Sequence, residues 1–121
     1  QALREVVVVL MIEKQGAVDQ LEEILSLEGV DMVQWGGGDY AMSIGRPGTR
    51  YTPEVQAVER RVIETALRLG VPPRAEIGSV DQARYYLDLG VRHFSLGVDL
   101  MILYNWWKQN GEELRKVVLD G

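Results

Sequence analysis

Apolar positions along this chain follow two alternating spacings. Arg4-Glu5 leads into Val6 to Ile12, an unbroken β-branched and aliphatic run closed by Glu13. Such a run predicts a strand buried on both faces, as in a parallel sheet. Gln15 to Leu27 then carries Val18, Leu21, Ile24 and Leu25 at helical spacing, with Gly29 placed to end the helix. Val30 to Trp35 predicts a second short strand that runs directly into Gly36-Gly37-Gly38-Asp39. Tyr40 to Tyr51, rich in glycine and holding Pro47, predicts an irregular stretch.

Thr52 and Pro53 suit the N-cap and first position of a helix. Its apolar face is Val55, Val58, Val62, Ala66 and Leu69, and Gly70 ends it. Arg74 to Ile77 predicts a third strand. Ser79-Val80-Asp81-Gln82 has the capping-box spacing and opens a helix to Leu89. His93 to Val98 predicts a fourth strand, and Asp99 can cap a last helix reaching Trp107. Asn110-Gly111 predicts an interruption before Glu112 to Val118 adds a final turn or two.

The order is βα four times over, about thirty residues per unit, which is also the average of a (β/α)₈ barrel of about 250 residues. Three such crossovers imply an α/β fold with a parallel sheet. The whole of 1–121 reads as one domain. Two architectures satisfy the pattern: a small doubly wound sheet, or four βα units equal to half a barrel. Spacing alone does not separate them.

Composition narrows the function classes. Hydrophobic residues make up 46% and charged residues 26%, enough apolar surface to offset the entropy of ordering. No apolar run reaches the 18 or so residues of a membrane span. With 18 acidic against 13 basic residues the net charge is −5, and nucleic acid is a poor partner for such a chain. The absence of cysteine removes disulfides and thiolate chemistry and fits a reducing cytoplasm. The chain opens on Gln1 rather than Met, as a processed or truncated product would.

Ligands of parallel α/β sheets gather at the carboxyl ends of the strands. Glu13 lies at the end of the first predicted strand and Asp39 just past the second. Two hard oxygen donors with open remaining positions suit Mg²⁺ or Mn²⁺, which keep waters and accept substrate oxygens. The same two acids also fit solvated strand-end charges or helix caps. Gly36, Gly37 and Gly38 tilt the balance toward a site, because such a turn lets the backbone approach a ligand and aim N–H groups inward. No GK[ST] or GxGxxG accompanies it, so it is not a phosphate loop.

Met11-Ile12-Glu13-Lys14, Gly29-Val30-Asp31-Met32-Val33-Gln34-Trp35-Gly36, and Asp39-Tyr40 with Ser43-Ile44-Gly45 resemble the HpcH/HpaI aldolase and citrate lyase family. Pro73-Arg74-Ala75-Glu76, Leu89-Gly90-Val91-Arg92-His93-Phe94 and Leu96-Gly97-Val98-Asp99 resemble its last two barrel strands. The resemblance spans nearly the whole chain but only the C-terminal half of the family's barrel. It implies a class II, metal-dependent aldolase that cleaves 4-hydroxy-2-oxo acids to pyruvate and an aldehyde. Carried over by position, Glu13 and Asp39 would hold Mg²⁺, Mn²⁺ or Co²⁺. Gly36, Gly37, Gly38 and Asp39 would bind the substrate carboxylate. Where the family often has proline and alanine, this chain has Gly37 and Gly38.

The family's catalytic histidine and substrate-binding arginine lie in the half outside this chain, so no catalytic residue is assigned here. His93 resembles a structural position at the start of the last strand. Glu76 and Arg74 share a strand face and read as a structural polar pair, with lining of the site as the rival reading. Asp99 reads as a helix cap. Adjacent Trp106 and Trp107 cannot both face one helix stripe, and the resemblance implies a neighbouring subunit against that helix, with packing on the barrel as the rival. The expected partners are a small 2-oxo acid and either a homo-oligomer or a complementary barrel half. A citryl- or malyl-CoA-type lyase is the alternative enzyme, although an acidic chain offers little to CoA phosphates. A noncatalytic fragment or assembly module is the alternative outside catalysis.

Overall fold

A computed structural model of the chain describes residues 5–120; Arg4, at the head of the first predicted strand, lies outside them. Four strands form one parallel sheet in the order β1-β2-β3-β4: β1 (Val9–Ile12), β2 (Met32–Trp35), β3 (Pro73–Ile77) and β4 (His93–Leu96). Each strand lies beside its predecessor. A doubly wound sheet would reverse its order at a switch point, and this sheet has none. Right-handed crossovers that all advance one way place their helices on one face, as in a barrel wall.

Burial along the strands agrees. Ile12, Val33, Trp35, Ala75 and Ile77 are buried on one face, beneath the helices. The other face carries Met11, Gln34, Arg74 and His93 in one register row, with Glu76 and Ser95 paired further along. It is largely polar, as the inside of an enzyme barrel near its mouth is. Helices α1 (Gln15–Asp19), α2 (Leu21–Leu25) and α4 (Pro53–Arg68) contribute Val18, Leu21, Leu25, Val55, Val62 and Ala66 to the core over β1 and β2. A second cluster of Ile63, Ala75, Ile77 and Val91 lies between α4, β3 and α5 (Ala83–Asp88). Gly70 and Gly90, with φ of 77° and 100°, end α4 and α5. The amides of Val71 and Val91 then reach back to the carbonyls of Ala66 and Tyr86, the Schellman closure that such glycines permit.

Several elements differ locally from the sequence reading. β1 begins at Val9 rather than Val6, because β2 begins only at Met32 and the Asp31 carboxylate takes the Val8 amide at 2.7 Å. Val6 and Val7 stay exposed beside an unpaired strand edge, so the run is not buried on both faces. The predicted helix from Gln15 is two short helices broken at Gln20. Gly37–Ser43 is a helix, α3, where a glycine turn and an irregular stretch were expected. Burial of Tyr40 and Ala41, with Tyr40 tilted on Trp35 at 4.8 Å between ring centroids, outweighs the poor helix propensity of the two glycines.

The last helix, α6 (Asp99–Asp120), runs through Asn110-Gly111 without a break. Asn110 donates to the Trp106 carbonyl and Gln109 to Glu113, and Gly111 costs only about 1 kcal/mol against alanine. The expected caps are looser than their spacing suggested. Thr52 occupies the N-cap of α4 with Pro53 after it, but its hydroxyl makes no capping bond. The Gln82 side chain accepts from the Gly78 amide rather than from Ser79, and a 3₁₀ turn over Val80–Gln82 precedes α5. Asp99 is itself the first residue of α6 rather than its cap, and accepts the amide of Leu100 at 2.7 Å. Among the described residues, no helix is long and apolar enough to cross a membrane.

Candidate functional site

Ile12 pairs with Trp35 at the ends of β1 and β2, so the chain leaves both strands at the same height. Glu13 is the first residue beyond β1 and stands opposite Gly36, whose amide donates to the Ile12 carbonyl at 2.9 Å. A Cβ built on Gly36 would lie 2.8 Å from the Glu13 Cβ, 3.2 Å from its Oε2 and 3.2 Å from the Met11 Cγ. Glycine at 36 is therefore a condition of how closely the Glu13 carboxylate lies against the backbone. Its φ of −107° is open to other residues, so contact rather than dihedral strain sets the requirement.

Gly36 is also the N-cap of α3, and its carbonyl accepts the Tyr40 amide at 2.8 Å. Gly37, Gly38 and Asp39 form the first turn. Their amides have no acceptor within the helix and point out of its N-terminal end. A carboxylate is a natural partner for such a group. The Asp39 side chain sits half-buried in that turn. Tyr40 holds the helix in place, donating its hydroxyl to Gln15 Oε1 at 2.7 Å, while Ser43 Oγ accepts the Gln15 amide. The structure thus brings Glu13, Gly36, Gly37, Gly38 and Asp39 to one rim, at the carboxyl ends of β1 and β2.

His93 is not brought there. It is exposed at the first residue of β4, the far edge strand, two strands away from β2. Arg74 and Glu76 do share the inner face, but Gln34 stands between them. Arg74 Nε donates to Gln34 Oε1 at 2.6 Å, and Gln34 Nε2 donates to Glu76 Oε2 at 3.4 Å. The other Glu76 oxygen meets Arg50 Nη2 at 3.4 Å. Gln34 is buried, and the sequence carried a signal for it: a polar residue inside an otherwise apolar strand. Arg50 had no such signal, since it lies in the loop between α3 and α4.

A cavity of about 510 Å³ opens beside this rim, between the ends of β3 and β4 and helices α4, α5 and α6. Glu59 lines it and accepts the Tyr86 hydroxyl at 2.9 Å. Burial pushes the Glu59 carboxyl above its ordinary value, against the opposing effects of that hydrogen bond and of Arg50. Burial likewise raises the Tyr86 phenol, and the neighbouring Glu59 charge adds to it, so Tyr86 remains a donor.

Residues 1–105 match the sequence model of the HpcH/HpaI aldolase/citrate lyase family. A 4-hydroxy-2-oxo-heptane-1,7-dioate aldolase of Shigella sonnei is 35% identical over 96 residues, 79% of this chain and 37% of that protein. A 5-keto-4-deoxy-D-glucarate aldolase of Klebsiella pneumoniae is 29% identical over 116 residues, 96% of this chain and 45% of that protein. A crystal structure of an HpcH/HpaI aldolase/citrate lyase family protein from Burkholderia cenocepacia superposes with a TM-score of 0.83 at 30% identity, covering 95% of this chain and 45% of that one. The chain spans less than half the length of these curated relatives.

Proposed function

Because the chain belongs to the HpcH/HpaI aldolase/citrate lyase family, we propose that it carries the metal- and carboxylate-binding part of a class II aldolase site. The reaction is cleavage of a 4-hydroxy-2-oxo acid to pyruvate and an aldehyde. The observation that carries this reading is the contact of Gly36 with Glu13, which sets one carboxylate against the mouth of a helix whose first turn holds the other.

The donor set fits a hard divalent cation. Glu13 and Asp39 offer carboxylate oxygens, and no cluster of three or more His, Cys, Asp or Glu occurs among the described residues. Two protein ligands leave positions for water and for the substrate's own oxygens, the habit of Mg²⁺ and Mn²⁺, with Co²⁺ within the same range. A cation held there would polarise the 2-oxo group and stabilise the pyruvate enolate released on C–C cleavage. The chain's own part is to fix the substrate. The Gly37, Gly38 and Asp39 amides bind its carboxylate, and Glu13, kept in place by the bare Gly36, sets the orientation of the 2-oxo group. No base is assigned within the chain. Proton transfer from the 4-hydroxyl falls to a complementary barrel half or a neighbouring copy. The cysteine-free composition supports a cytoplasmic setting.

The test is a Mn²⁺ titration in the presence of oxalate, a mimic of the pyruvate enolate, on this chain and on Glu13→Gln. Oxalate-enhanced Mn²⁺ binding is expected in the parent and a loss on the order of tenfold or more in the variant, as for removal of one charged ligand. Equal binding by both proteins would remove Glu13 from the site. Exposed apolar surface along α6 favours a second reading, an assembly module; there Glu13→Gln alters assembly or stability and leaves metal affinity unchanged.

A further inference from the structure

The cavity between the ends of β3 and β4 and helices α4, α5 and α6 is bordered by a donor without a partner. Trp35 lines it and is only 9% exposed, yet its indole N–H makes no hydrogen bond among the described residues. Nor is that N–H sealed: the sealed and unpartnered side-chain atom among the described residues is Thr52 Oγ1. A donor on a nearly buried side chain normally has a partner, because leaving it bare forfeits its bond to water. A Cβ on Gly37 would lie 2.7 Å from the Trp35 Nε1 and 3.3 Å from the Arg50 Cγ, so the indole nitrogen stands beside the Arg50 side chain. Arg50 lines the same cavity and commits Nη2 to Glu76 at 3.4 Å. The acceptors of the lining are engaged. Glu59 takes the Tyr86 hydroxyl at 2.9 Å, Glu76 takes Arg50 and Gln34, and Gln82 Oε1 takes the Gly78 amide at 2.7 Å. What the wall offers to a ligand is therefore a donor.

The rest of the lining sets the ligand's body and charge. Tyr51, Tyr85, Tyr86, Ile77, Met101 and Ile102 make an apolar and aromatic wall, with Tyr85 and Tyr86 edge to face at 5.1 Å. Flat rings pack against such edges and faces, and a thioether adds to the contact. The volume of about 510 Å³ lies within the range of small-molecule pockets. The charged groups of the lining are one cation, Arg50, and two carboxylates, Glu59 and Glu76, so an anionic ligand would add to a surplus of negative charge. A cationic ligand finds two of the ring faces taken, with Arg50 5.4 Å from the Tyr51 centroid and Arg60 5.8 Å from that of Tyr85. We propose that this cavity binds an uncharged aromatic carbonyl compound, whose oxygen accepts the Trp35 N–H while its ring lies between the α5 tyrosines and the apolar side chains of α6. The cavity's preference is independent of the Glu13–Asp39 rim and of the aldolase reading.

Four probes of similar size separate these requirements: acetophenone, benzoate for charge, ethylbenzene for the missing acceptor, and cyclohexyl methyl ketone for the missing aromatic ring. Ligand-observed NMR titration of the 121-residue chain is expected to show saturable acetophenone binding, with each of the others weaker. Trp35→Phe keeps a ring and removes the N–H. It is expected to weaken acetophenone roughly fivefold to tenfold, the loss of one hydrogen bond, and to change ethylbenzene little. Tyr85 is 42% exposed on α5, so Tyr85→Leu spares the fold, which circular dichroism checks. It is expected to weaken acetophenone about threefold or more while cyclohexyl methyl ketone is little affected. Benzoate or ethylbenzene binding as tightly as acetophenone would overturn the proposal. So would an equal loss of acetophenone and ethylbenzene in folded Trp35→Phe, acetophenone binding indifferent to Tyr85→Leu, or no saturation at all.

Discussion

Single atoms decide how the rim is built. Alanine at 36 would place a methyl group 2.8 Å from the Glu13 Cβ, whereas alanine at 38 would meet nothing within 4 Å. Gly36→Ala is therefore expected to displace Glu13 and abolish oxalate-enhanced Mn²⁺ binding. Gly38→Ala is expected to leave it intact and to stabilise the chain by about 0.5–1 kcal/mol in urea melts, the usual gain of alanine over glycine within a helix. Equal Mn²⁺ affinities in the two variants would dismiss the Glu13 contact as a functional feature. Glu59 allows a second residue-scale prediction. Its folded-state pKa is raised by burial above the ordinary 4.5, so its protonated form is the one the fold prefers. That contribution is present below about pH 4.5 and is lost as pH rises through the folded value. Glu59→Gln, which mimics the protonated form, should melt with the parent near pH 4 and above it at pH 7. A gap that stays constant across that range would contradict the burial cause.

At the scale of elements, hydrophobic spacing found all four strands and α4, because each has one face against the core. Its failures lie where tertiary contacts overrode local preference. The glycines of α3 read as a turn, and only the packing of Tyr40 on Trp35 and its bond to Gln15 make a helix of them. The strand run from Val6 looked longer than it is because pairing, not propensity, sets a strand's length. Asn110-Gly111 looked like a stop, yet α6 continues through it. Gly111 has nothing within 4 Å, so Gly111→Ala should raise stability or helical content by about 0.5–1 kcal/mol, read by far-ultraviolet circular dichroism against urea. A drop in helicity on that substitution would mean that the glycine serves a contact outside the monomer.

For the whole molecule, the edges of β1 and β4, unpaired among the described residues, and the exposed length of α6 dominate. Trp106 and Trp107 meet edge to face at 4.7 Å and remain 54% and 67% exposed. Leu100, Ile102, Leu103, Val117 and Val118 are exposed on the same helix, far more apolar surface than a monomer ordinarily leaves to water. Open parallel edges add a template for further strands. We expect the chain to sediment as a dimer or larger species at micromolar concentration. A single 13.6 kDa species that stays monomeric on concentration would refute that expectation.

Much of the candidate site could be read from residues alone. Glu13 and Asp39 each follow an apolar run that must be a strand, and parallel crossovers bring the ends of such strands to one rim. The family followed from the same segments, Met11–Lys14 and Gly29–Gly36 above all. Neither composition nor spacing could choose between a doubly wound sheet and a barrel wall; the unbroken strand order β1-β2-β3-β4 did. Nor could they link Arg50, Glu76, Gln34 and Arg74, which stand on a loop and two strands far apart in the chain. Periodicity records which side of an element avoids water, a local property that sequence carries position by position. Strand order and the meeting of polar groups across a sheet depend on how elements pack together, and that is settled only when the chain folds.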